Sequence, residues 1–356
     1  MASDSFTFEP AALRRLAAQI FEAAGTPADV AELVADALVD ANLAGHDSHG
    51  VQQILRYVPR IRNGELRPAE RPKFLVDRGA TALLSGEWGF GQAAGRMAID
   101  SAIERARVHG VSAIGLVRIS HLGRMGDYPE RAARAGCIAH TWAGGFGGEF
   151  KAAPFGGAGR LFGTNPLSAG FPIPDSDPIV VDFATTAVAG GKVLLARASG
   201  TQLPPGSIVD RDGRPSIDPA DYDAGGSMLP FGGHKGYALA VLVELLGTAL
   251  TGSDRFADEG PGGETLGRSG ALFVVLDAGV FRPAEETLAA AERVVERIRA
   301  IPPAPGFDRV MTPGEPESSA RSARLAGGIK VPAETWTRIG AIAESLGVSL
   351  DAAQPK

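Results

Sequence analysis

Cysteine is almost absent: Cys137 stands alone among 356 residues, so no internal disulfide can form and a reducing compartment is the default. The opening Met1-Ala2-Ser3-Asp4-Ser5 has neither a basic start nor an apolar run, so no export segment is expected and the cytoplasm is the expected location. Long hydrophobic runs are missing as well. The most apolar stretch, Tyr237 to Thr251, contains Glu244 and spans about 15 residues against the roughly 20 that cross a bilayer. It reads as a core helix, and no membrane partner is expected. There is no Lys/Arg-dense run and the net charge is −6, which argues against a nucleic-acid partner. An anionic substrate must therefore be held by a few placed cations.

What is present is an ordinary globular composition, with 44% hydrophobic and 21% charged residues. The length suggests two domains, or one large domain with a helical appendage. The densest chemistry lies in Ala41-Asn42-Leu43-Ala44-Gly45-His46-Asp47-Ser48-His49-Gly50-Val51, where Gly45 and Gly50 bracket a set of titratable groups. Upstream, Thr26-Pro27 reads as N-cap and first helical residue. Val30, Leu33, Val34, Ala37, Leu38 and Ala41 recur at the spacing of one buried helix face. That helix should deliver its C-terminal end, and with it His49, to wherever the apolar face docks.

Leu13, Leu16, Ile20 and Phe21 predict an earlier helix stopped at Gly25, and Val51, Ile54, Leu55, Val58 and Ile61 a later one ending near Asn63-Gly64. The first ~70 residues are thus a helical unit. From Phe74 the texture changes: Ala82-Leu83-Leu84 is strand-like, Gln92 to His109 has helical spacing, Gly110 is a stop and Ser112 to Val117 is a buried strand. Strand, helix and strand in succession indicate an α/β architecture. Further strands are expected at Cys137 to Trp142 and Ile179 to Phe183, with Leu272 to Leu276 near the end of the sheet. Tyr237 to Leu250 reads as the central hydrophobic helix, Ala284 to Ile301 as a charged exposed one, and Pro332 to Leu346 as a last helix that returns to the N-terminal unit. The expected division is 1–72, helical; 73–316, α/β; and 317–356, a C-terminal helical segment returning to the first unit.

Gly89-Phe90-Gly91-Gln92-Ala93-Ala94 matches a dinucleotide fingerprint between strand and helix. However, Glu87-Trp88 separates the strand from the turn, and Val117-Arg118 stands where an acidic residue should end the next strand. With 47 glycines in the chain a chance match is cheap. His46, Asp47 and His49 could ligate a metal, but no third ligand lies at motif spacing and none is expected. Ser48 beside His49 invites a hydrolase reading, which the missing GxSxG elbow disfavours; Ser48 is better suited to orienting a partner. If His49 to Arg60 is helical, Arg56 and Arg60 project from nearly the same side as His49. Together they would supply a proton donor and a guanidinium fork for a carbonyl substrate with a carboxylate; for Arg60, a solvated surface arginine is at least as good a reading. Ser120-His121-Leu122-Gly123-Arg124 follows a buried strand, placing His121 at the usual crevice position of α/β sheets. Phe162-Gly163-Thr164-Asn165-Pro166 is a polar turn, Val181-Asp182-Phe183-Ala184-Thr185-Thr186 a strand with a polar end, and Gly232-Gly233-His234-Lys235-Gly236 a helix start suited to phosphates.

Taken together these residues resemble the type 2 malate/L-lactate dehydrogenases, a family that includes ureidoglycolate dehydrogenases, diketogulonate reductases, piperideine-2-carboxylate reductases and hydroxycarboxylate dehydrogenases. Six motifs carry the resemblance in order: Ser48-His49-Gly50-Val51, Ser120-His121-Leu122-Gly123, Gly163-Thr164-Asn165-Pro166, Asp182-Phe183-Ala184-Thr185-Thr186, Gly233-His234-Lys235-Gly236-Tyr237 and Pro313-Gly314-Glu315. The resemblance implies a homodimeric oxidoreductase that uses NAD or NADP, with NAD slightly favoured. It would interconvert small 2-hydroxy acids and their 2-oxo counterparts on a mixed-sheet, non-Rossmann nicotinamide domain. It implies His49 as acid/base with Ser48 beside it, and His121 by the nicotinamide, a position to which some members assign the proton transfer instead. It would make residues 1–72 the substrate side and 73–316 the cofactor-binding domain. Thr164 would meet the substrate, as would Gln53 at its family position, while Arg56 is expected there from its helical placement beside His49. His121, Gly123, Arg124, Asp182, Phe183, Ala184, Lys235, Gly236, Pro313, Gly314 and Glu315 would hold the cofactor. Gln53 replaces an Arg found in several members and Lys192 an Asp that relays to the Ser-His pair, as in the hydroxycarboxylate dehydrogenase branch; Gly144 to Glu149 lacks an Asn often found near Ala143. The alternative reading is a catalytically silent or regulatory nicotinamide-binding protein.

Overall fold

The structure, a computed structural model, describes residues 5–145, 151–256 and 269–356. It begins with β1 (Ser5–Phe8), α1 (Pro10–Ala23), α2 (Ala28–Leu43) and, after two 3₁₀ turns, α3 (Ile54–Arg62). The apolar stripes face one another as their spacing requires. Leu13, Leu16, Ile20 and Phe21 of α1 pack on Val30, Val34 and Leu38 of α2 and on Tyr57 and Val58 of α3, all buried. One local expectation fails: α2 starts at Ala28, Pro27 stands just outside it, and no side chain caps it. Thr26 is buried, and its hydroxyl has no partner among the described residues.

The sheet follows: β2 (Lys73–Asp77), β3 (Thr81–Ser85), α4 (Gly91–His109), β4 (Val111–Val117), α5 (Asp127–Arg134), β5 (Cys137–Gly144), β6 (Leu167–Phe171) and β7 (Ile179–Phe183). Then come α6 (Gly190–Ser199), the short strands β8 (Ile208–Val209), β9 (Pro215–Ser216) and β10 (Ser227–Met228) with α7 (Pro219–Asp223) among them, α8 (His234–Glu244), and β11 (Gly270–Asp277). The seven-stranded order is β2-β3-β4-β11-β5-β6-β7. Only β3 and β4 run parallel, joined by α4, which Gly110 ends in the left-handed conformation (φ 79°); the other neighbours are antiparallel. The strand expected near the end of the sheet is in fact central: β11 pairs with β4 on one side and β5 on the other. Its residues Ala271, Phe273 and Val275 are buried in the second core, as a doubly flanked strand must be.

The chain closes with α9 (Ala284–Arg299), α10 (Glu315–Gly327), β12 (Ile329–Pro332) and α11 (Ala333–Ser345). β12 pairs antiparallel with β1, from Ser5 opposite Pro332 to Phe8 opposite Ile329. Ile329, Val331, Ile339 and Ala343 join the core of α1 to α3. α8 is not the fully buried helix its composition suggests. Ala240, Val243 and Glu244 face inward, but Leu242 is 45% exposed and Leu245 and Leu250, in or beside the π-turn that continues it, are 54% and 65% exposed. Of the glycine loop Gly144 to Gly148, and of Gly144 to Glu149, the part from 146 onward lies outside the described residues.

Candidate active site

The site is built at the C-terminal end of α2. Gly45 (φ 86°) ends the helix in a Schellman arrangement: its N–H donates to Asn42 O and the His46 N–H to Ala41 O, both at 2.9 Å. Asp47–His49 and Val51–Gln53 then form separate 3₁₀ turns on either side of Gly50. The continuous helix from His49 to Arg60 is therefore broken. The cause is Asn42, buried, whose Nδ2 donates to Asp47 Oδ1 (2.6 Å) while its Oδ1 accepts the Val51 N–H (2.8 Å). A Cβ on Gly50 would stand 2.2 Å from that Oδ1, so only glycine allows the clamp. From outside, Arg324 of α10 donates to both oxygens of Asp47 and to Asn42 O. His46, considered as a metal ligand with Asp47, instead faces Glu317 Oε1 at 3.3 Å.

This turn presents Ser48 and His49. Although adjacent in sequence, they face each other, Ser48 Oγ lying 3.0 Å from His49 Nδ1. Gln53 turns back and donates from Nε2 to Ser48 O (2.6 Å), leaving its Oε1 buried without a partner among the described residues. Gly191, at the start of α6 beside the exposed Lys192, is close enough that a Cβ there would touch Ser48 Cβ at 3.4 Å.

The second histidine arrives on the loop after β4. The rings of His49 and His121 stack with centroids 5.4 Å apart and planes at 19°. Tyr57 Oη sits 2.7 Å from His121 Nδ1 and accepts from Gln92 Nε2 at 2.8 Å. The glycine fingerprint explains how the loop gets there. A Cβ on Gly91 would lie 2.4 Å from His121 O, and the Gly91 N–H donates to Ser120 Oγ (2.9 Å). The bare helix start is thus filled by protein backbone and holds no phosphate loop.

Burial keeps both imidazoles neutral, with nearby positive charge adding to it. His49 is pulled down to about 4 by desolvation, then by His46, Arg56, Arg124 and Lys151. His121 falls well below the usual histidine range through desolvation, then Arg56, His49, Lys151 and Arg60. Burial pushes the Tyr57 phenol up to about 12. Of the cations, Arg60 pairs with Glu65 (3.7 Å) and Arg124 with Glu130 (3.0 Å). Arg56 has no hydrogen-bonded or ion-paired partner among the described residues.

The remaining candidate residues lie in the loop after β4, around β6 and β7, and at the starts of α8 and α10. Arg124 is buried, its Nε 4.0 Å from Asp182 Oδ2 and without a hydrogen bond. Asp182 accepts the Gly126 N–H (2.8 Å), and burial raises its pKa. Gly123 (φ 78°) packs on Gln92. Thr164 O accepts from the Thr185 N–H and hydroxyl, beyond Phe183 and Ala184, and Phe231 stacks edge-on to Phe183 at 5.5 Å. The Phe231 carbonyl closes on Gly236, where a Cβ would be 2.1 Å away. Lys235 beside it is exposed and unpaired among the described residues. Pro313 O accepts from Val180 N, and Gly314 (φ 96°) lies against the same strand. Gly314 borders a small, partly open pocket with Arg124, Glu317 and Arg321. Glu315 faces away, bonded to Thr312 and Arg299.

Asn42, Tyr57, Gln92 and Lys151 were not singled out from sequence. A signal for Gln92 was there, as a polar residue inside a buried helix start. Asn165 Nδ2 also donates to Glu244 Oε2 (2.9 Å), so the lone carboxylate of the apolar stretch anchors the Thr164 turn.

Comparison with known proteins identifies the family. The sequence matches the family described as malate/L-lactate dehydrogenase over residues 8–340. An L-lactate dehydrogenase of Cupriavidus necator is 36% identical over 343 residues, 96% of this chain and 98% of the relative. Hydroxycarboxylate dehydrogenase B of Escherichia coli is 36% identical over 349 residues, 96% of this chain and 94% of the relative. The solved sulfolactate dehydrogenase from Methanocaldococcus jannaschii superposes with a TM-score of 0.86 at 30% identity, covering 97% of this chain and 98% of that one. The chain therefore belongs to the malate/L-lactate dehydrogenase family, dehydrogenases of 2-hydroxy acids.

Proposed function

We propose that the protein interconverts a small 2-hydroxy acid and its 2-oxo acid with NAD or NADP, using His49 as acid/base. The observation that carries this reading is the stacked, neutral pair His49 and His121 beside the unpaired guanidinium of Arg56. A neutral imidazole can accept the hydroxyl proton as the alcohol is oxidised and return it in reduction. Ser48 orients that ring through Nδ1. Arg56 offers a fork to the substrate carboxylate, which is costly to bury unpaired. Gln53 has given one of its two N–H groups to Ser48 O and has no charge to offer a carboxylate.

A nicotinamide bound here would accept and return the hydrogen of C2 as hydride. The chain's own fit to such a dinucleotide rests on the Nε of buried Arg124, which has no hydrogen bond among the described residues. His121, Gly123, Asp182, Phe183, Ala184, Lys235, Gly236 and Pro313 complete the proposed cofactor site, from which Glu315 is turned away. The exposed Leu242 and Leu245 support a homodimer.

A turnover screen decides the matter. Lactate, malate and aromatic 2-hydroxy acids, with pyruvate and oxaloacetate in reverse, are tested against both cofactors. Turnover of at least one acid is expected; tight nicotinamide binding with no turnover would establish the silent binder instead.

A further inference from the structure

The two histidines are held by different kinds of partner. His49 Nδ1 faces the Ser48 hydroxyl, which can donate or accept and has no second partner among the described residues to fix its direction. His121 Nδ1 faces Tyr57 Oη, and that oxygen already accepts from Gln92 Nε2. Both Tyr57 and Gln92 are buried. An amide N–H only donates. The phenol hydrogen, in a place where leaving it unmatched is costly, then has His121 Nδ1 as its acceptor. Nδ1 is left bare and the ring proton sits on Nε2.

We propose that Gln92, acting through Tyr57, locks His121 as the Nε2–H tautomer, so that His121 offers the reacting oxygen a hydrogen-bond donor and never a base, and proton exchange falls to His49. The role at the reacting oxygen rests on the 2-hydroxy acid reading above; the tautomer does not. Because His121 is kept neutral by burial, a single tautomer persists at physiological pH. Gln92 and Tyr57 are then positioning residues. Their place in the fold accounts for the glycine beside them, since Gly91 is what lets the His121 backbone close onto the start of α4.

The test is the imidazole nitrogen spectrum of the intact chain, labelled with ¹⁵N at histidine, free of cofactor, at pH 7, with His121 assigned by its loss in His121→Asn. The wild-type chain should show Nε2 protonated and Nδ1 bare. Tyr57→Phe and Gln92→Leu, each checked for folding by circular dichroism, should show His121 exchanging between both tautomers. Their kcat should fall roughly 10-fold with the cofactor KM unchanged, less than the 10²–10³-fold cost of removing such a donor outright. An Nδ1–H tautomer in the wild-type chain, as a reversed Gln92 amide would give, overturns the proposal. So does an Nε2–H signal that survives in both variants. Absence of turnover with every acid would instead count against the functional reading and leave the tautomer result standing.

Discussion

His49 and His121 stack face to face at 5.4 Å, near enough that a charge on one opposes a charge on the other. Burial depresses both, His49 to about 4. The folded state therefore binds fewer protons than the unfolded chain between pH 4 and 6.5, and stability rises with pH through that window. Acidification from pH 6.5 to 4 should cost on the order of 2–3 kcal/mol from His49. Urea titrations at pH 7 and pH 4.5 measure it, and His49→Asn should flatten the difference. By the same titration, kcat/KM for oxidation should stay level from pH 8 down to about 5 and fall below it.

His49→Ala is expected to lower kcat by roughly 10²–10⁴-fold, the usual worth of a general acid/base, while nicotinamide binding followed by fluorescence survives. Near-normal turnover in His49→Ala with complete loss in His121→Ala would exchange the two roles.

Arg56→Ala should raise KM for the 2-oxo acid by roughly 10–100-fold, the equivalent of the 1.5–3 kcal/mol carried by a charged hydrogen bond. Arg56→Lys keeps the charge without the fork and should fall between. The cofactor KM should not move in either. An unchanged substrate KM in both would shift the anchor to Lys151 or Arg124.

Gly91→Ala tests the glycine fingerprint. Its new Cβ would meet His121 O at 2.4 Å, and backbone cannot swing aside as a flexible side chain can. A drop in melting temperature and a loss of kcat are expected together, because the displaced loop carries His121. A phosphate-binding glycine would instead raise the cofactor KM with kcat and stability preserved.

Leu242→Asp and Leu245→Asp together should convert a dimer to monomers in light scattering, since a charge on each would be buried in the interface. A monomeric wild-type chain would remove the dimer proposal.

The helices and strands were legible because their signals are local. The stripe from Val30 to Ala41, the stop at Gly110 and the buried run from Ser112 to Val117 all act within one element. The place of β11 was not, since its register is set by β4 and β5, more than a hundred residues upstream. The Ser48-His49 and His121 motifs could be read singly, but their stacking depends on Gly91 admitting a distant loop. Arg56 was chosen on an unbroken helix that Asn42 and Gly50 interrupt. It still acts on both histidines, because the break turns the chain without carrying α3 away.

Arg324 grips Asp47 across 277 residues of chain, and β12 completes a strand pair begun at Ser5. During synthesis the Ser48-His49 turn is made early, but its clamp leaves the ribosome more than ten seconds later at about 5–20 residues per second. The histidine turn therefore spends that interval without its outer brace, and competence for catalysis is acquired late and all at once. Chains cut short before α10 should keep the sheet's secondary structure and have no activity.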